Sequence, residues 1–343
     1  MSKANLIRLD GSENLVANIG YEGIEVAQIK NDFDSRYPWN RMEEIVDTNG
    51  NTWIRIPVFY TWYEVVDGAI VSRKISEYKI DDDWFLNPVF KRGETTLPYI
   101  EISKYLMSYV GGLTWTRSGD DPYKYQIPSD ARLVAQRLSD EKYDVHLYDI
   151  WTLQLLQDLF CIEFGTQKCQ SVMAGYLYNN YKDKSAANGT TDNIPYVTGS
   201  PTALSATGGT RCIKYRGIEN IWGNGSLFVD GIRTKGSAVF YNKDYNTYND
   251  FSSYTQASYT KLEQNGPIYK LGYDINSNLV FPIAVNEKGA YENTYSFLSG
   301  AREACMYNGV NNDNIGLFTY NLASQIDSPI PQSIFRMVRR PKQ

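Results

Sequence analysis

Catalysis by a serine or cysteine nucleophile needs a base, and the chain offers one histidine for that role, His146. It stands in Tyr143-Asp144-Val145-His146-Leu147, directly ahead of a segment patterned as a buried helix. That place suits a partly buried structural imidazole better than an exposed base. The cysteines are Cys161, Cys169, Cys212 and Cys305. None is paired in a Cys-x-x-Cys spacing, so a zinc site is not expected. Buried free thiols are expected instead, with a Cys161–Cys169 disulfide as the open alternative. Asp274, Asn276 and Asn278 alternate like the opening of a calcium loop, but Leu279 stands where that loop needs Gly and Val285 where it needs Glu. Asp81-Asp82-Asp83, before Trp84, reads as a solvated turn. Gly223-Asn224-Gly225 lacks the third glycine and the following helix of a phosphate loop. No catalytic or metal set is complete, so the expectation is a protein that binds without catalysing, with no cofactor and no metal.

Composition points the same way. There are 28 tyrosines against 13 phenylalanines in 343 residues. Tyrosine gives broad, rigid contact area with a polar tip and loses little rotamer entropy on binding, although a β-rich core favours it too. Residues 241–259 hold five tyrosines, three asparagines and three serines without strict alternation, so a surface loop or an irregular edge hairpin is expected there. A net charge of -5 and the lack of a basic face argue against a general nucleic-acid binder. Arg336, Arg339, Arg340 and Lys342 read as a solvated basic end. No run of about 18 apolar residues occurs, so no membrane insertion is expected. Met1-Ser2-Lys3-Ala4-Asn5 lacks the apolar stretch of a signal peptide, which implies synthesis in a cytoplasm.

The elements that must position these residues are legible in outline. Residues 1–48 are polar with short β-like runs such as Leu15-Val16-Ala17-Asn18-Ile19, and read as a small β-rich attachment or docking segment. The turn Asp47-Thr48-Asn49-Gly50-Asn51 separates it from a main domain, 49–343. Trp53 to Trp62 reads as the first strand of that domain, with Pro57 at an edge-compatible place. Ala69 to Ile75 follows the turn Asp67-Gly68, and Tyr99 to Met107 reads as a third strand. Two helices come next. Ser129 is the expected N-cap of the first, through Leu138. Asp149 is the expected cap of the second, Ile150 to Phe164, with Gly165 ending it. The second helix is apolar over a wide arc, so it should be buried.

Several short motifs carry a family resemblance. Glu219-Asn220-Ile221-Trp222 resembles an Asn-Val-Trp signature. Ser299-Gly300-Ala301-Arg302 stands where a Gly-Gly-x-Trp turn belongs, with one glycine kept and Glu303-Ala304-Cys305 next. Ile315-Gly316-Leu317-Phe318 and Ile334-Phe335-Arg336-Met337-Val338 resemble two later strands, the last without its leading glycine. Their order and spacing are similar to the C-type-lectin-like fold in its formylglycine-generating-enzyme-like form, over roughly residues 49–340. That form occurs in phage tail adhesins and in the variable proteins of diversity-generating retroelements. The resemblance implies an α+β chain of twisted, mostly antiparallel sheets with two helices. Enzymes of this fold use a redox-active cysteine pair. Cys212-Ile213-Lys214-Tyr215-Arg216 looks like their cysteine segment but precedes the Asn-Trp motif and has no second cysteine close by.

The resemblance further implies a ligand surface on the loops between the motif strands. The candidate contacts are Tyr245, Tyr248 and Tyr254 in the tyrosine-rich stretch. Glu303, Tyr307, Asn308, Asn311, Asn312, Asp313 and Asn314 follow in a second stretch, and Tyr320, Asn321, Ser324 and Gln325 in a third. The function so implied is that of a phage or prophage virion protein, tail-associated, which binds a host cell-surface glycan or protein and touches other virion proteins. It would work as a homo-oligomer, expected as a trimer. A structural baseplate or decoration protein and a retroelement-diversified bacterial surface protein remain open alternatives.

Overall fold

Proline has no N–H to give to a sheet ladder, and the chain uses Pro57 to turn a corner. In the computed structural model the run expected as one strand is two, Thr52–Pro57 and Tyr60–Val66, and each belongs to a different sheet. Val58 N–H leaves the ladder and bonds to Pro98 O at 3.0 Å. The structure describes residues 7–9, 14–18, 33–175, 185–195, 197–199, 212–285, 294–297, 304–308, 316–325, 328–329 and 333–342.

The first sheet has five strands, in the order Tyr143–Leu147, Met337–Pro341, Tyr99–Ser103, Thr52–Pro57, Glu43–Val46, all antiparallel. The C-terminal strand is therefore interior to the sheet. Period-two alternation serves two cores at once. Ile54, Ile56, Ile100 and Ile102 face the main core, while Trp53, Val145, Leu147 and Met337 pack into a second one with Ala131, Val134 and Ala135. Glu43–Val46 pairs with Thr52–Pro57, so the border expected at residue 48 falls in the turn of a hairpin. Asn14–Asn18 likewise joins the second sheet beside Ala69–Ser76.

That second sheet is larger and mostly antiparallel. Its central run is Gly266–Asp274, Thr294–Phe297, Tyr320–Gln325, Ala304–Asn308, Ser226–Lys235, Ala238–Tyr241, Thr255–Thr260. Ser226–Lys235 is buried along nearly its whole length, and its register shifts between Val229 and Arg233. Gly231 makes that shift possible: its φ is +75°, and an added Cβ would meet the Tyr248 ring at 2.9 Å.

Two main helices stand beside the sheets. The first, α1, spans Pro128–Gln136. Ile127, not Ser129, is its N-cap, because Pro128 takes the first helical position, where a missing N–H costs nothing. Arg132 of α1 grips Asp230 with two bonds, 2.6 and 2.8 Å, and so ties the helix to the central strand. The second, α2, spans Ile150–Phe164, with Asp149 Oδ1 accepting from Thr152 N–H at 2.8 Å and Gly165 in the left-handed region at φ 66°. Asp158 of α2 accepts from the Tyr63 hydroxyl at 2.7 Å and pairs with the buried Arg73. No helix among the described residues is long and apolar enough to cross a membrane.

The basic end is not solvated. Arg336 and Arg340 are fully buried, and Arg339 nearly so, paired to Glu101. The Arg336 guanidinium donates to the carbonyls of Ser103, Lys104 and Glu219, and burial lowers its pKa to about 10. Next to it the Glu219 carboxylate accepts from Gly189 N–H at 2.9 Å and Thr191 N–H at 2.8 Å. Glu219-Asn220 and Arg336, more than a hundred residues apart in sequence, thus meet in one buried node. Trp222 packs edge-on against Phe160 at 5.7 Å. A charge buried here is tolerated because backbone dipoles surround it.

Candidate functional site

The strand Tyr60–Val66 and its two-residue partner Phe85–Leu86 form one wall of a cleft of about 640 Å³. The hairpin Lys91–Arg92/Thr95–Thr96, the turn 243–246 and Asn278 close the other sides. This volume lies within the range of about 300–1,000 Å³ usual for small-ligand sites. Trp84, Leu86 and Pro88 are buried and give the cleft an apolar floor, whereas Tyr60 and Phe85 are half-exposed. Phe85 is braced from behind by Tyr273, stacked at 5.3 Å, and by Tyr63 at 5.2 Å.

The floor and the turn are both anchored to α2. Asn87 Oδ1 accepts from Val89 N–H at 2.9 Å, and its Nδ2 donates to Trp151 O at 3.1 Å. Trp151 Nε1 donates to Asn242 O at 2.8 Å, and Asn242 Oδ1 accepts from Asp244 N–H at 2.9 Å. The Asp244 carboxylate caps the next turn by accepting from Asn246 N–H at 3.0 Å. Gln154 fixes the Asn278 turn, donating to Asn278 O at 2.9 Å and accepting from Val280 N–H at 3.0 Å. The cleft is thus held on a rigid helix, as a preformed site requires.

Behind the cleft lies a buried polar network. Tyr245 donates to Asp144 Oδ2 at 3.0 Å, and its ring packs on His146 at 4.5 Å and on the Arg340 guanidinium at 4.5 Å. Asp144 also holds Arg92 at the rim. Arg340 donates to His146 Nε2 at 2.8 Å and to Asp149 Oδ2 at 2.8 Å. Arginine has no acceptor, so Nε2 is unprotonated and Nδ1 carries the proton donated to Leu147 O at 2.7 Å. Burial, with Arg340 beside it, holds the imidazole well below its usual pKa. Both ring nitrogens are engaged, in keeping with the structural role expected of His146.

The rim is cationic. Lys79 is paired with Asp82 and Arg92 with Asp144. Lys91 and Lys243 have no carboxylate partner among the described residues. The Lys243 ammonium lies 5.6 Å from the Tyr241 ring centroid and 6.0 Å from that of Trp151, and burial against these rings lowers its pKa.

Among the described residues expected to touch a ligand, Tyr245 alone lines this cleft. Three others require correction, because they are core residues. Tyr248 is 1% exposed and donates to Asp149 Oδ2 at 2.9 Å. Tyr254 is buried over the Arg233 guanidinium at 4.7 Å, and its hydroxyl donates to Tyr248 O at 3.2 Å. Tyr320 is fully buried, receives a bond from Gln157 Nε2 at 3.3 Å and meets Phe281 edge-on. The stretch 241–259 is an edge element of strands and two 3-10 turns, capped by Asp244 and Asp250. Tyr245, Tyr248 and Tyr254 turn inward, and each finds an acceptor there for its hydroxyl.

The two later stretches were expected as loops but include paired strands. Tyr307 and Asn308 lie on Ala304–Asn308, whereas Asn321, Ser324 and Gln325 lie on Tyr320–Gln325, with Tyr307 opposite Asn321 and Cys305 opposite Ser324. Both strands are interior to the larger sheet. Glu303, Asn311, Asn312, Asp313 and Asn314 lie outside the described residues. Cys161, Cys169 and Cys212 are buried free thiols, and burial pushes Cys161 and Cys212 up to about 12. Asp274 spends its carboxylate on its own turn, accepting from Asn276 N–H at 3.1 Å and the Ser277 hydroxyl at 2.8 Å. Sequence reading missed Tyr60, Phe85, Lys91 and Lys243 as site residues. Tyr60 and Phe85 carry no signal that separates them from other strand aromatics. Lys243 offered one, a lone cation in a polar aromatic turn.

No protein-family model matches this chain, and no curated protein matches it. The geometry alone defines it as a mostly antiparallel α+β protein with a preformed aromatic and cationic cleft.

Proposed function

We propose that this is a phage or prophage virion protein, tail-associated, which binds a host surface ligand without acting chemically on it. The observation that carries this reading is the cleft: half-exposed aromatic faces beside unpaired amino groups, on walls anchored to a buried helix. Such a site recognises by shape, stacking and charge. The C-type-lectin-like assignment, in its formylglycine-generating-enzyme-like form, is part of the same proposal. The convergence of Glu219-Asn220 with Arg336 supports it, because it brings two of the resembling motifs into one node. A trimeric assembly on a particle would raise the avidity of a weak single site through effective concentration.

The test is a cell-binding assay. Labelled full chain is titrated onto intact cells of the bacterium that hosts the gene. Saturable binding, competed by unlabelled protein, is the expected result. Binding that never saturates, or none, would reject the reading.

A further inference from the structure

Resting on that binding role, we infer that the cleft takes an acidic saccharide, with a sugar face on Tyr60 and Phe85 and its carboxylate or phosphate against Lys243 and Lys91. Charge is the first argument. The lining holds four cations, Lys79, Lys91, Arg92 and Lys243, against one carboxylate, Asp244, on a chain of net charge -5. Protein carboxylates already satisfy Lys79 and Arg92. Asp244 Oδ1 accepts from both Asn246 N–H and Nδ2. Lys91 and Lys243 are left for an incoming anion.

Desolvation is the second argument. The Lys243 ammonium sits among Trp151, Tyr241 and the cleft wall, so part of the cost of stripping its water is borne by the fold. An anion arriving there recovers that cost as a charge-assisted hydrogen bond. The third argument is shape. Phe85 cannot retreat, because Tyr273 and Tyr63 back it, and the Tyr60 hydroxyl makes no hydrogen bond to any described residue. Flat apolar faces flanked by the Tyr60 hydroxyl and the rim amino groups suit the C–H face and the hydroxyls of a pyranose. A nucleic acid would call for a longer basic track than this cleft and acidic chain provide.

The experiment is calorimetric titration of the full chain with four probes. They are a tetrasaccharide alternating glucuronate with N-acetylglucosamine, glucosamine 6-phosphate, neutral tetra-N-acetylchitotetraose and an octaglutamate peptide. At least one acidic saccharide should bind about tenfold or more tighter than the neutral one, and added salt should weaken it. Carboxylate and phosphate sources are separated by which of the first two probes binds. Lys243→Gln and Tyr60→Ala should each lower that affinity by about tenfold, Lys243→Gln without shifting the melting temperature. Equal affinity for the neutral probe, no effect of Lys243→Gln, or no binding of either acidic saccharide would overturn the inference. Octaglutamate binding that outranks both saccharides would assign the cleft to acidic peptides instead. Cell binding that persists in Lys243→Gln and is not competed by either acidic saccharide would overturn this ligand class while leaving the binding role standing. Acidic-saccharide binding without cell binding would do the reverse.

Discussion

Lys243 and Tyr248 sit five positions apart in one tyrosine-rich stretch, yet they face opposite worlds. Tyr248 is 1% exposed, with its hydroxyl on Asp149. Lys243 reaches over aromatic rings at the mouth of the cleft, with no carboxylate among the described residues within salt-bridge distance. A Tyr-, Asn- and Ser-rich composition therefore served two purposes in one segment. Tyr245, Tyr248 and Tyr254 found acceptors inside and became core, whereas Lys243 has no carboxylate partner among the described residues. Composition resembling a binding surface is not itself exposure: a phenol is amphipathic, and its burial is decided by whether an acceptor waits for its hydroxyl.

The largest effect should come from the inward side. Tyr248→Ala removes a buried aromatic and one of the two donors to Asp149 Oδ2, leaving Arg340, for a loss of about 3–5 kcal/mol in urea denaturation. Loss of binding in this variant without loss of stability would break the contrast drawn here. Gly231→Ala attacks the same contact from the strand. Its φ of +75° and the 2.9 Å approach of the Tyr248 ring should cost about 1–3 kcal/mol, read as a lowered melting temperature.

A third effect is pH-dependent. In the folded chain His146 stays neutral behind Tyr245, whereas in the unfolded chain it takes up a proton near its usual pKa of about 6.5. Below that pH the unfolded state binds more protons, so stability conferred by the neutral imidazole is present above about 6.5 and is lost as pH falls, by up to about 1.4 kcal/mol per unit. Asp158, Glu163 and Glu219 act with the opposite sign: burial raises their folded pKa values, and the stability they lend at low pH fades as pH rises through those values. Denaturation of the wild type and His146→Gln from pH 7.5 downward separates the two, since the difference between the curves contains only the histidine contribution. A flat difference would remove His146 from the buried network. The smallest effect on stability belongs to the outward side. Lys243→Gln should change the unfolding free energy by no more than about 0.5 kcal/mol while reducing ligand affinity.

How far the sequence reached follows the range of the interactions. The second helix, its Asp149 cap and its Gly165 terminus were legible because each depends on neighbours within a turn or two. The Asp67-Gly68 turn was legible for the same reason, both residues standing at positive φ. The break at Pro57 was missed, because an edge-strand proline and a corner proline look alike until the partner strands are known. Ala304–Asn308 and Tyr320–Gln325 read as loops because their polar residues gave no alternation, and only their mutual pairing and the pairing to Ser226–Lys235 make them strands. The C-terminal arginines were misread because charge suggests solvent. The carbonyls that bury Arg336 come from residues 103–104 and 219, far away in the chain.

By itself the sequence determined the local grammar of this protein: helix caps, tight turns, a preference for aromatic and polar contact chemistry, and the motif positions from which an α+β chain could be expected. The tertiary structure alone decided which tyrosines became core and which cation stayed unanswered. Those outcomes depend on acceptors and carboxylates that lie near in space and distant in sequence. Asp149 reaches Tyr248 across 99 positions, and Asp144 reaches Tyr245 across 101, separations that no local pattern can register.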